Sequence, residues 1–430
     1  SHITSRAAYE SLQERLNRFP QGAPPSETLY KILEILFSEK EAKLVAQLPI
    51  KPFTAQKAAS IWGVSKQEAG KVLQGLAARC ILLDIESKDE TRYLLPPPMA
   101  GFLEFSMMRT RDDIDQHLLG ELFYQYMNVE EEFVKELFSG TETNLGRAFI
   151  NEDALAQAGD TVQVLDFVKA SHIIKTAEHI GIGMCYCRHK MEHVGKNCSA
   201  PIDDICMTFG NAADALIRHQ YARRIDASEC LEILAKTYEY DLVQFGENVR
   251  EGVSFICNCC GCCCEALVGA KKFGSMHPIE TTGFVPKLNE DTCISCGKCV
   301  KACQIDVIRM KDTDPDDAAT RKTKKIPVID EDLCLGCGLC VRACPNKSLF
   351  LQSTGRKIIT PPTSVHRIVY MAIEKGLLQE LIFDNKALYS HRAMAAILSA
   401  ILKMPPVKKA MASEQMRSVY LDKLISRQKL

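Results

Sequence analysis

From residue 26 to 95 the apolar positions first recur at helical spacing and then alternate. Ser26 precedes Leu29, Ile32, Leu33, Leu36 and Phe37, one face of a helix. Ser38-Glu39-Lys40-Glu41 and Ser65-Lys66-Gln67-Glu68 read as capping boxes, in which a hydroxyl and a carboxylate satisfy the unpaired N–H groups of a first helical turn. The first predicts a helix that ends before Pro49, the second a helix through Val72, Leu73 and Leu76. Thr54 opens a further helix between them, which stops at Gly63. Two short strands, 81–85 and 92–95, follow around the polar turn Ser87-Lys88-Asp89-Glu90. Helix–turn–helix plus hairpin is the winged-helix pattern, and Pro96-Pro97-Pro98 closes it.

Other stretches are less regular. Residues 1–25 are polar, contain Pro20, Pro24 and Pro25, and read as an arm. Residues 99–184 read as helical, with Phe102, Phe105, Phe123, Tyr124, Tyr126, Phe133 and Phe138 as core and domain interface. A helix is expected over 228–240. Residues 311–325 are charged, contain Pro315, and read as a surface insertion. In the tail, 394–404 is nearly all apolar (Ala395, Ala396, Ile397, Leu398, Ile401, Leu402) and is followed by Pro405-Pro406. It is too short to span a bilayer and is expected to pack on the protein, peripheral membrane contact being the alternative. The expected fold class is α+β. Its units are an arm (1–25), a winged-helix-like domain (26–98), a helical domain (99–184), a cysteine-rich iron–sulfur domain (185–285), a two-cluster ferredoxin domain (286–351) and a helical extension (352–430).

Composition changes the picture at one point. The 430 residues are 46% apolar and 25% charged, ordinary for a globular chain, and 53 basic against 54 acidic residues predict no polyanion binding from overall charge. Twenty cysteines are not ordinary, and 19 of them lie between Cys185 and Cys344. Ser1-His2-Ile3 is no secretory signal, so a reducing cytoplasmic setting is expected, in which clustered cysteines bind metal rather than pair as disulfides. Cys80 and Cys230 fall on apolar helical patterns and read as plain buried residues.

Cys293-x₂-Cys296-x₂-Cys299-x₃-Cys303 recurs as Cys334-x₂-Cys337-x₂-Cys340-x₃-Cys344-Pro345. Three thiolates on one loop reach three irons of a cube, and the fourth, beyond the turn, reaches the other cube. On that pattern Cys293, Cys296, Cys299 and Cys344 hold one [4Fe–4S] cluster, and Cys334, Cys337, Cys340 and Cys303 hold a second. Gly297, Gly336 and Gly338 suit loops whose amides approach inorganic sulfide. The segment resembles the bacterial two-cluster ferredoxins, with two departures: Gln304 where a proline usually follows, and the insertion 311–325.

Upstream, Cys185-x-Cys187-Arg188 with Cys198 and Cys206 offers four thiols, which suit a further [4Fe–4S] cluster or a tetrahedral zinc. Cys187-x-His189 has the opening of a Rieske site, but no C-x₂-H closes it, and His189 and His193 read as surface residues. The run Cys257-Asn-Cys259-Cys260-Gly261-Cys262-Cys263-Cys264 holds six thiols in eight residues. Adjacent residues point apart, so the run suits ligands shared between clusters, an unusual cluster, or a free dithiol. One or two further [4Fe–4S] clusters are expected on these ten cysteines. Together the motifs resemble a broader group of iron–sulfur proteins of anaerobic bacteria that carry a winged-helix-like region, a C-x-C-R segment, a C-N-C-C-G-C-C-C run and a two-cluster ferredoxin domain. That resemblance implies low-potential electron transfer and names no substrate.

No G-x-G-x-x-G precedes a helix, and Gly181-Ile182-Gly183 reads as a loop before the cysteines. The winged-helix stretch carries ten basic and nine acidic residues, without the surplus of a groove reader, so docking to protein is expected rather than to DNA. The sequence therefore predicts an electron-transfer protein or oxidoreductase subunit working with a redox partner or larger complex. The alternatives are a stand-alone reductase acting at the upstream cysteines and a redox-responsive DNA-binding regulator.

Overall fold

A computed structural model describes residues 2–138, 141–156, 166–312, 325–355, 358, 360–383, 394–396 and 400. Most of the expected insertion 311–325 and of the apolar stretch 394–404 lies outside these residues. The first correction is at the amino terminus. Instead of an arm, helix His2–Leu16 buries Ala8, Tyr9, Leu12 and Leu16, and the Tyr9 hydroxyl donates to the Phe37 carbonyl at 3.1 Å. A sparse stripe at three- and four-residue spacing outweighs the polar composition around it. Helices Glu27–Leu36, Glu39–Val45, Ala55–Trp62 and Lys66–Ala78 follow, and both capping boxes form. Strands β1 (Phe53–Thr54), β2 (Leu83–Glu86) and β3 (Thr91–Leu94) make an antiparallel sheet in the order β1-β3-β2.

The middle of the chain differs most from expectation. Instead of a mainly helical region, it builds a six-stranded antiparallel sheet in the order β4-β8-β9-β6-β5-β7. Its strands are β4 (Gly146–Ala148), β5 (Ile180–Gly183), β6 (Cys206–Phe209), β7 (Ala222–Arg224), β8 (Val243–Glu247) and β9 (Phe255–Cys259). β4, β5, β6 and β8 are buried at every position, so they lack the polar–apolar alternation that marks a half-exposed strand. Gly181 and Gly183, read as a loop, lie inside β5. A Cβ on Gly181 would stand 2.8 Å from the Thr208 hydroxyl, so the glycine permits a close strand pairing. Phe149, Ile174, Ile182, Met207 and Ile256 form the core of this unit. The expected helix near 228 is present as Ala227–Glu239, capped by Asp226. Cys80 and Cys230 are fully buried, and burial pushes the Cys230 thiol up to about 12.

His189 is also corrected. It is buried on helix Tyr186–His193, with Nδ1 2.8 Å from the Met107 carbonyl and Nε2 3.2 Å from Nε2 of the half-buried His193. Helix Gln116–Tyr124 packs across this helix and removes the surface its polar sequence suggests.

In the carboxy-terminal part, β10 (Phe284–Leu288) pairs with β13 (Leu349–Ser353), and β11 (Ile308–Asp312) with β12 (Lys325–Ile329), both antiparallel. Short helices Lys298–Ala302 and Leu339–Arg342 pack against each other. No described helix is long and apolar enough to cross a membrane.

Helix Ser364–Glu374 ties back to the six-stranded sheet through a buried ion pair, Arg367 Nη2 to Glu247 Oε1 at 2.9 Å. Burial alone would raise the Glu247 carboxyl, yet Arg367 and the Ser254 hydroxyl hold it below its ordinary 4.5. Arg367→Ala should therefore lower the unfolding free energy by about 3–5 kcal/mol in a denaturant titration, since it strands a buried carboxylate. Because the folded value is depressed, the pair's contribution is present above pH 4.5 and is lost as pH falls through that lower value. The stability gap between wild type and variant should narrow over the same acid window.

Candidate metal centres

In the carboxy-terminal unit the two repeated motifs interleave. Cys293 and Cys296 lie on the loop entering helix Lys298–Ala302, Cys299 lies in its first turn, and Cys344 follows helix Leu339–Arg342. These four line one pocket with Leu288, Ile294, Met310, Pro327, Pro345 and Leu349, with an empty volume of about 350 Å³. The reciprocal set also converges. Burial raises the Cys334 thiol to about 11 and the Cys337 thiol to about 12, and negative charge on Cys303 adds to both shifts, so Cys303 lies in the field of the second loop. Cys340 feels Cys303 and also Cys299, which belongs to the other set, so the two sets are neighbours.

Backbone amides already point at sulfur. Gly336 N–H donates to Cys334 Sγ at 3.4 Å, and Ser348 N–H to Cys344 Sγ at 3.2 Å. Gly336 has φ +68°, and a Cβ there would stand 2.1 Å from the Phe284 carbonyl oxygen, so the loop lies directly on β10. Burial that favours neutral thiols is reversed when iron supplies the positive charge, because a ligating thiol is deprotonated. Buried thiols, apolar walls and inward amides fit a cluster.

Upstream, the structure redistributes the ten cysteines. Cys185 caps helix Tyr186–His193 and Cys187 lies in its first turn; Cys206 opens β6; Cys257 and Cys259 lie on β9; Cys264 caps helix Glu265–Lys272. Their thiols contact one another in a closed ring, in the order 185, 187, 264, 259, 257, 206 and back to 185. The ring borders a cavity of about 590 Å³, mouth included, with Met99, Phe245, Phe255 and Glu104 in its wall. Asn258, between two ring members, instead donates to the Ile205 carbonyl at 2.8 Å.

Cys198 does not join its sequence neighbours. It meets Cys260, Cys262 and Cys263, all four sulfurs lying within 4.8 Å of one another, close enough to hold a further metal centre. The expected division into a four-cysteine motif and a six-cysteine run is thus replaced by a ring of six and a compact four, each drawing on both segments. Arg188 lies between the two groups. It is 1% exposed, donates from Nη2 to the Asn258 carbonyl at 2.9 Å, and leaves Nε without a hydrogen-bond partner. Despite burial its charge is stabilised by Cys185, Cys260 and Cys198.

Three features escaped the sequence reading. Lys190 and Glu265 form a buried ion pair that binds the helix carrying Cys187 to the helix carrying Cys264. Glu104 stands in the ring cavity, and burial followed by the charge on Cys257 raises its carboxyl well above the usual range. Gly261 N–H donates to Gln304 Oε1 at 2.8 Å, and a Cβ on Gly261 would fall 1.7 Å from the Gln304 carbonyl oxygen. A charged residue three positions after Cys187 and another directly after Cys264 were the only signals for the first of these.

Among known families, the 4Fe-4S dicluster domain matches residues 292–348, which include both repeated motifs. No curated protein and no solved structure matches the chain. This segment is therefore similar to 4Fe–4S dicluster domains, a likeness that indicates iron–sulfur clusters. Gly336→Ala should force its loop off β10 and cost about four irons per chain on anaerobic purification, read by iron and acid-labile sulfide analysis.

Proposed function

We propose that this protein is an electron-transfer protein or oxidoreductase subunit that passes low-potential electrons to or from a partner protein. Two [4Fe–4S] clusters would sit in the dicluster domain, one on Cys293, Cys296, Cys299 and Cys344, the other on Cys334, Cys337, Cys340 and Cys303. A further iron–sulfur cluster would sit on ring thiols among Cys185, Cys187, Cys206, Cys257, Cys259 and Cys264. The observation that carries this reading is the contact between Gly261 and Gln304. Gln304 directly follows Cys303, and Gly261 lies between Cys260 and Cys262, so one backbone contact brings the dicluster domain against the upstream thiols. Apolar surroundings favour a relay by excluding water from the clusters and setting their potentials.

The unit spanning 26–98, with its helices and three-stranded sheet, would serve as a winged-helix-like docking element. Its near-neutral charge supports a protein partner over DNA. Arg79, which a groove reader would present outward, is instead bound to Glu41 and to the Leu36 carbonyl.

Iron and acid-labile sulfide on anaerobically purified protein should give about 12 irons per chain, and reductive titration about three electrons. About eight irons, or ring iron that the dicluster domain does not reduce in a rapid-mixing EPR experiment, would overturn the relay. Glu104 favours a second reading, a reductase acting within the ring cavity, because a carboxyl whose protonated form is favoured by burial beside thiols can supply the proton that a reduction consumes. Turnover with an artificial low-potential donor and no partner would select that reading.

A further inference from the structure

The ring and the dicluster domain leave Cys198, Cys260, Cys262 and Cys263, and sulfur spacing indicates what they bind. Four thiolates on one tetrahedral ion, with bonds of about 2.3 Å, stand about 3.8 Å apart. Around a four-iron cube each thiolate lies outside a different iron, so the sulfurs must spread further. Here Cys198 and Cys260 are separated by 3.5 Å, Cys262 and Cys263 by 3.7 Å, and all four sulfurs fall within 4.8 Å of one another. Among the described residues, no other group of three or more His, Cys, Asp or Glu ligand atoms is so compact. The dicluster quartets, with the same number of thiols, do not meet that spacing and provide an internal control for a cube.

We propose that Cys198, Cys260, Cys262 and Cys263 bind a single tetrahedral zinc ion, and not an iron–sulfur cube. An all-thiolate set of four is the donor set of a closed, structural zinc site. Four thiolates on a dication leave a net charge of −2, which the buried Arg188 beside Cys198 and Cys260 partly offsets. Three ligands come from the loop around Gly261 and the fourth from the segment after helix Tyr186–His193. The ion therefore closes that loop onto a neighbouring segment at the place where Gln304 docks. Lys271 and Asp306, paired at 2.8 Å, flank the same seam. Zinc has no redox chemistry in this setting, so the site is a clamp that holds the dicluster domain in place and carries no electron.

The test is metal analysis of the full chain purified anaerobically, with X-ray absorption at the zinc edge. The expected result is about one zinc per chain with four sulfur neighbours at about 2.3 Å. Zinc should persist through iron–sulfide reconstitution. Cys262 is exposed, so Cys262→Ser tests the site with little risk to the fold. It should weaken zinc retention against a chelator by about tenfold or more and leave the iron content unchanged. Three results would each overturn the proposal: no zinc in the wild type, zinc replaced by about four irons on reconstitution, or Cys262→Ser losing about four irons. None of these alters the iron of the dicluster domain, so the relay reading stands or falls separately.

Discussion

The chain turns at Gly261, and the placement of the thiols from Cys257 to Cys264 follows from that bend. Gly261 is pressed against the Gln304 carbonyl with no room for a side chain. Residues before it, Cys257 and Cys259, share one face of β9 because strand side chains alternate. Cys260 falls on the opposite side, and the turn brings Cys262 and Cys263 back to it. Cys264, at the start of the next helix, returns to the ring. Six thiols in eight residues are thus sorted into two sites by strand alternation, one tight turn and a helix start.

Concentrating so many sulfurs in a buried volume creates a charge problem, and the structure sets a buried cation against it. Arg188 sits where the two groups of thiols meet. Lys190, two residues on, is fully enclosed and paired with Glu265, so it orders the two cysteine-bearing helices without adding net charge. A buried ion pair is weak evidence for stability, since desolvation offsets much of the attraction. What the pair does here is join the helix that carries Cys187 to the helix that begins at Cys264.

The legible part of the sequence was the part whose chemistry is local. The repeated C-x₂-C-x₂-C-x₃-C spacing sets loop geometry within ten residues, and the interleaving of Cys344 with the first loop follows from the repeat itself. Ser38, Ser65 and Thr54 were equally readable, because a cap needs only three residues of context. The six-stranded sheet was not readable. Its strands are short, four of them are buried at every position, and Gly181 and Gly183 look like a loop until Thr208 and Tyr221 are placed beside them. The pairing of Cys198 with Cys260 was hidden for the same reason: 62 residues separate them, and the segments that carry them lead into β6 and out of β9, which pair in the sheet.

Gln304 unites these lines of argument. In sequence it is a departure from the pattern in which a proline follows the first motif. In the structure its side-chain oxygen receives the Gly261 N–H, while its carbonyl excludes any residue but glycine from position 261. Proline has no side-chain acceptor and could not make the first contact. A free-standing two-cluster domain has no need of that acceptor. A domain that must seat against a second set of thiols does, and the glutamine is adjacent both to Cys303, the proposed cluster ligand, and to the Gly261 turn.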